Sequence, residues 1–327
     1  MRVVAALGGN ALLRRGQPAE AEAQRQNLVK AGKALAELAL EHELVVTHGN
    51  GPQVGLLALQ SEAYRRVRPY PFDILVAESE GMVGYLLDQT LGNLLPGRRV
   101  ATLLTQTVVD ERDPAFGDPT KPVGPIYPEE EARHIAAERG WSVASDGKGW
   151  RRVVPSPEPL RIVELETIRL LVEAGVLVIC SGGGGVPVVD HHGVLRGVEA
   201  VIDKDLAAAL LAIDLGADAL LLLTDVRGVE DGFGTTSAQV ISQATPHELR
   251  ALDLPPGSMR PKVEATSRFA ERTGGIAVIS SLEDATMALE GYAGTRVVTS
   301  GREPATVGAA QPPPHAPAHP QPRRPPA

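Results

Sequence analysis

Short apolar runs alternate with long amphipathic stretches along most of this chain. Residues Arg2–Leu7 (RVVAAL) form the first run, which breaks at Gly8-Gly9-Asn10. Leu28, Ala31, Leu35, Leu38 and Ala39 then recur at three-to-four spacing, the period of a helix with one buried face. Residues 44–47 read as a second strand ending at His48-Gly49-Asn50-Gly51-Pro52; a helical pattern covers 74–95, and 100–105 reads as a third strand. From 110 to 159 the chain is rich in Pro, Gly and charge, with Asp146-Gly147 between two β-like runs, a hairpin signal. Trp141 and Trp150 are expected to pack across that hairpin. A structureless loop this long is improbable inside a compact domain, so residues 110–160 are expected to form a small protruding subdomain. Helical patterns then cover 164–174, 203–215, 258–272 and 282–289, interleaved with strand-like runs at 176–180, 219–223, 276–279 and 296–299. This alternation predicts an α/β fold: an αβα sandwich with a mainly parallel central sheet and helices on both faces. The domain is expected to span 1–303, and the proline-crowded residues 304–327 a disordered tail.

Composition narrows the classes of function. Of the 327 residues 43 % are hydrophobic but only 3 % aromatic, which suits a core of Ala, Val, Leu and Ile. A net charge of −8, with no basic stripe carrying aromatics, excludes nucleic acid as an expected partner. No apolar run reaches the length of a membrane span. Met1 to Leu7 reads directly as a strand, not as a signal peptide, so a cytoplasmic location is expected. The single cysteine, Cys180, ends an apolar run and reads as a core residue.

Candidate chemistry gathers at strand ends. In open parallel sheets ligands sit beyond the carboxyl ends of the strands, where glycine lets backbone N–H groups approach an anion. Three such breaks occur here: Gly8-Gly9-Asn10, Gly49-Asn50-Gly51 and Gly182 to Gly185. No GxxxxGK[ST] loop is present, and Gly55 falls one residue too late for a dinucleotide fingerprint. Lysine usage adds a second signal, since six of the 32 basic residues are lysine and the other 26 arginine. Lys30, Lys33 and Lys148 read as surface residues. Lys121, between Thr120 and Pro122, Lys204, between Asp203 and Asp205, and Lys262, after Pro261, stand in unusual contexts where a compact ammonium has a use. Glu78 and Glu80 read as solvated helix residues. His191-His192-Gly193 reads as a surface turn, because adjacent histidines seldom turn both rings to one ion; no resident metal site is expected.

Seven ordered blocks carry a resemblance. They are Gly8 to Leu12, His48 to Gly55, Lys121 to Pro125, Ser181 to Pro187, Val198 to Asp205, Leu223 to Val226, and Gly257-Ser258-Met259 with Pro261 to Ala265. In this order they resemble the carbamate kinases of the amino-acid kinase fold, over residues 3 to about 300. The resemblance implies a kinase that moves phosphate reversibly between ATP and carbamate, giving ADP and carbamoyl phosphate, with Mg²⁺. It implies small-molecule substrates, a cytoplasmic homodimer and a place in arginine metabolism. It assigns the acceptor to the N-terminal half and the nucleotide to the C-terminal half. Gly8, Gly9, Asn10, Gly49, Asn50 and Gly51 would hold the transferred phosphoryl group and carbamate. Lys121 would reach the acceptor from the protruding subdomain. Lys204 and Lys262 would contact nucleotide phosphates, with Asp205 orienting them and Thr224, Asp225 and Met259 in the nucleotide pocket. Two positions depart from the family pattern: Arg260 replaces a small residue, and Glu230 stands where an aromatic often frames the adenine.

Other readings keep different parts of this evidence. A kinase of the same fold acting on an acylated or free amino acid is disfavoured, because Ala6-Leu7 stand where such enzymes often carry a lysine. An aspartate kinase would carry a further regulatory domain. A nicotinamide-dependent oxidoreductase lacks its fingerprint here, and a non-catalytic nucleotide binder has no need of all three lysines and Asp205.

Overall fold

The computed structural model describes residues 1–299 apart from 14–16, 19, 65, 146–148, 234, 236–237 and 255–258. The expected tail, the Asp146-Gly147 turn, Lys148 and Ser258 lie outside the described residues. In chain order the elements are β1 (Arg2–Leu7), α1 (Gly9–Leu12), α2 (Ala21–Glu41), β2 (Glu43–His48), α3 (Gly51–Ala63), α4 (Phe72–Leu94), β3 (Val100–Thr102) and β4 (Gln106–Val108). Then come β5 (Lys121–Tyr127), α5 (Glu129–Arg139), β6 (Ser142–Ser145), β7 (Trp150–Val154), β8 (Arg161–Ile162), α6 (Leu165–Glu173), β9 (Leu177–Ile179), β10 (Val186–His191) and β11 (Val194–Gly197). The remainder comprises α7 (Lys204–Asp214), β12 (Ala219–Thr224), β13 (Glu230–Asp231), β14 (Gln239–Val240), β15 (Gln243–Ala244), α8 (Pro246–Arg250), α9 (Met259–Thr273), β16 (Ile276–Ser281), α10 (Ala285–Glu290) and β17 (Thr295–Val297).

Among the described residues eight strands make the central sheet, in the order β15-β17-β16-β12-β1-β2-β9-β3. The inner strands β16, β12, β1, β2 and β9 run parallel, with β3 parallel at one edge, while β17 is antiparallel to β16. Their sequences are continuous apolar runs because both faces are covered. In β1, Val4 and Ala6 face a core shared with α6, α7 and α9, whereas Val3, Ala5 and Leu7 face α2, α4 and α10. The αβα sandwich expected from the alternation is therefore the observed architecture. Residues 110–160 hold a separate three-stranded sheet, β5-β7-β6, with α5 against it. No helix among the described residues is long and apolar enough to cross a membrane.

Two expectations change. Register places Trp150 opposite Ser145, so the tryptophans are not a cross-strand pair. Each instead carries guanidinium groups on its ring: Arg133 lies 4.5 Å from the centre of Trp150, and Arg139 and Arg152 lie 5.1 and 4.6 Å from that of Trp141. Cation–π attraction to the arginines takes the place of ring-to-ring packing. Glu80 is 1 % exposed rather than solvated. Its position, four residues after Val76 and three before Val83, puts it on the buried stripe of α4; Glu78 is exposed as expected. The His191-His192-Gly193 segment is a hairpin turn, with φ of 54° at His192 and 88° at Gly193.

Phe269 is fully buried where α9 crosses the sheet. Phe269→Ala should therefore cost about 3–5 kcal/mol in urea unfolding; a loss below about 1 kcal/mol would mean that this face of the sheet is packed otherwise.

Candidate active site

Parallel register brings the glycine turns together. Leu7 pairs with both His48 and Leu223, so β1, β2 and β12 end at one level. Backbone hydrogen bonds continue past the ends: Gly8 N donates to Leu223 O at 2.8 Å, and Gly49 N to Leu7 O at 2.9 Å. Glycine is required where the turns touch. A Cβ on Gly49 would lie 3.0 Å from Gly9 N and 3.3 Å from Lys204 Cδ. Gly9, Gly49 and the shaft of Lys204 thus form one contact group.

The lysines converge on α7 and α9. Asp205, buried in the first turn of α7, binds Lys204 through Oδ1 and Lys262 through Oδ2, the latter at 3.0 Å. Burial would raise this carboxyl, but the two ammonium groups overcome it and hold Asp205 far below the usual carboxylate range. Burial pulls the Lys204 ammonium down, with Asp205 opposing. Two cations share one anion, leaving a net positive charge at the mouth of the turns. Asp203 caps α7, accepting from Asp205 N at 2.9 Å, and its other oxygen binds Lys121 Nζ at 2.7 Å. Lys121 is thereby brought from the small sheet to the same helix end. The approach depends on a second glycine contact: a Cβ on Gly55 of α3 would lie 3.0 Å from Gly124 Cα of β5.

A cleft of about 350 Å³ opens beside these groups. Gly8, Gly9, Lys204 and Lys262 line it together with Thr224, Asp225, Glu230 and Met259, and with Leu254 and Phe233. Phe233, three residues beyond Glu230, supplies an aromatic ring to this cleft. A wider depression of about 510 Å³ at the amino ends of the strands, around Arg2, Glu43 and Asp218, lacks any lysine. Arg260 is exposed, its guanidinium 3.4 Å from Leu254 O.

The site residues chosen from sequence lie largely together. Lys121 and Lys262 meet Asp203 and Asp205 at the start of α7, beside Lys204; Gly49 touches both Gly9 and Lys204; Gly8 and Gly9, with Thr224, Asp225 and Met259, line the cleft; and Gly51 opens α3. The side chain of Asn10 lies outside the described residues. Asn50 is 4 % exposed, and its Nδ2 donates to Ser79 Oγ at 2.8 Å, so its amide fastens the turn to α4. Sequence reasoning misses Asp203, His48, Glu80 and Gly55. Asp203 carries a helix-start signal, an Asp directly before the periodic run, that sequence alone could have supplied. Burial lowers the His48 ring to about 4, and its Nδ1–H donates to Gly49 O at 3.0 Å, so it is a neutral strut.

Among the described residues no three His, Cys, Asp or Glu converge as a metal site. Both oxygens of Asp203 and of Asp205 are engaged. This donor set does not fit a resident divalent ion, whereas Mg²⁺ readily travels on nucleotide phosphates.

The model of the amino acid kinase family matches residues 1–280. A carbamate kinase of Haemophilus influenzae is 53 % identical, covering 91 % of this chain and 96 % of that protein. A carbamate kinase of Rhizobium meliloti is 52 % identical over 92 % of this chain and 94 % of its own. The solved carbamate kinase from Giardia lamblia bound to AMP-PNP superposes with a TM-score of 0.84 at 40 % identity, covering 91 % of this chain and 98 % of that one.

Asp205→Asn should lower stability at neutral pH by about 3–5 kcal/mol, because it removes the carboxylate that the ammonium groups of Lys204 and Lys262 share. A depressed carboxylate stabilises above its unfolded pKa and loses that contribution as pH falls through the folded value. The gap between wild type and variant in urea unfolding should therefore narrow below about pH 4; a gap that is absent, or constant with pH, would contradict the charge arrangement.

Proposed function

Because the chain belongs to the amino acid kinase family, we infer from its paired lysines that it transfers a phosphoryl group reversibly between ATP and carbamate, giving ADP and carbamoyl phosphate. The observation that carries this reading is the Lys204–Asp205–Lys262 triad between the glycine turns and the cleft. A nucleotide lying in that cleft has its phosphates at the lysine end. Carbamate is already an anion, so its oxygen attacks the γ-phosphorus without a general base while the bond to the β-phosphate bridging oxygen breaks. What the protein must supply is alignment of two mutually repelling anions and positive charge for the transferring oxygens. Lys204 and Lys262 supply the charge, and Asp205 keeps them in place. Gly9, Asn10, Asn50 and Gly51 offer backbone N–H groups to the phosphoryl group and acceptor, while Gly8 and Gly49, whose own N–H groups bond Leu223 O and Leu7 O, let the two turns close around them. Lys121, carried by the small sheet over residues 110–160, meets the acceptor side; this and the names of the relatives favour carbamate over an acylated amino acid.

Thr224, Asp225 and Met259 belong to the nucleotide pocket, with Phe233 near the base and Glu230 at its edge. Mg²⁺ enters as part of the Mg-nucleotide substrate. The resemblance to carbamate kinases also supports a homodimer, a cytoplasmic setting and a place in arginine metabolism. Residues 1–303 act as one kinase unit, with 110–160 as its subdomain.

Purified protein given Mg-ADP and carbamoyl phosphate should form ATP. Lys204→Ala and Lys121→Ala should each lower that rate by about 10²-fold or more without loss of folded structure. Phosphorylation of an acylated amino acid with no ATP from carbamoyl phosphate would replace the acceptor, and near-normal rates in both variants would remove the lysines from the mechanism.

A further inference from the structure

Two consecutive residues of α4 hold two different glycine turns. Ser79 Oγ accepts from Asn50 Nδ2 at 2.8 Å. Glu80 accepts from Gly182 N at 2.7 Å and from Thr105 N at 3.2 Å, one bond to each carboxylate oxygen. The turn it grips is tightly enclosed. Ser181 is left-handed at φ 50°, and its N–H donates to Thr105 Oγ1 at 3.0 Å. A Cβ on Gly182 would lie 2.5 Å from the His48 ring and 2.6 Å from Glu80 Cγ. On Gly183 it would lie 2.1 Å from Asn50 Nδ2. The backbone from Glu80 to Asn50 is therefore one packed stack, Glu80 against Gly182 and Gly183 against Asn50, directly behind the turn that carries Gly49 and Gly51.

We propose that Glu80 is a positioning residue of the acceptor pocket, acting through Gly182 and Gly183 on Asn50 and sensing the charge of whatever anion occupies that pocket. This rests on the function proposed above, which places the anionic acceptor at Asn50. The titratable groups facing Glu80 are His48 from β2, Cys180 after β9 and Glu164 before α6. His48 is neutral, burial holds the Cys180 thiol protonated, and Glu164 is a like charge. No lysine or arginine among the described residues pairs with Glu80. Burial accordingly pushes its carboxyl up to about 8, against the pull of the two backbone N–H groups. Near neutrality Glu80 is mainly an uncharged acid, whose carbonyl oxygen accepts one N–H bond and whose hydroxyl oxygen accepts the other only weakly. Above about pH 8 it becomes an anion behind an anion pocket, which opposes binding of carbamoyl phosphate.

The test is the ratio of KM for carbamoyl phosphate at about pH 9.5 to that at about pH 7, in the ATP-forming direction, for wild type and Glu80→Gln. The glutamine has nearly the same shape and cannot ionise; its Oε1 keeps one of the two N–H bonds and its Nε2 cannot accept the other, a loss that is the same at both pH values. Wild type should show a ratio at least about threefold above that of Glu80→Gln, while KM for ADP changes alike in both. Equal carbamoyl phosphate ratios in the two proteins would overturn the proposal. A wild type that forms no ATP at any pH would instead overturn the function on which it rests. Should Glu80→Gln not fold, the infrared difference spectrum of wild type between the two pH values decides. Loss of a protonated-carboxyl band at high pH supports the proposal, and its absence at both overturns it.

Discussion

Two ammonium groups cannot stand side by side in a buried cleft without a counter-charge, and Asp205 gives each of them one oxygen. One carboxylate for two cations leaves the triad positively charged, and that surplus suits the oxygens of a transferring phosphoryl group. The arrangement depends on the start of α7. Asp203 caps the helix and holds Lys121, so three lysines from three distant parts of the chain meet within its first turn.

The sheet makes this meeting possible. Parallel register ends β1, β2 and β12 together, so the turns that follow them line one edge with no added device. Backbone contact then does what side chains would prevent: Gly49 lies on Gly9, and Gly55 lies on Gly124. The first contact closes the cradle, and the second lets the small sheet bring Lys121 within reach of α7.

Much of this was legible in the chain. The apolar runs and their glycine breaks located the strands and turns, and scarcity of lysine singled out Lys121, Lys204 and Lys262. What escaped was information about the third dimension. Glu80 looked solvated because charge outweighed its place on the Val76–Val83–Leu87 stripe. Nothing local in the sequence shows that His48, at the head of its glycine block, is buried. Gly55 does not fit a dinucleotide fingerprint, and its use is a contact with a strand about seventy residues away. The tryptophans read as a pair because sequence does not show which arginines will cover them.

The central claim, that Asp205 matters through the lysines it holds, is tested most directly by a double-mutant cycle on turnover. Asp205→Asn alone should slow ATP formation by about 10²-fold, yet cost far less when added to Lys204→Met, because the group it positions is already gone. Costs that simply multiply in the double variant would show that Asp205 acts independently of Lys204, and would contradict the account.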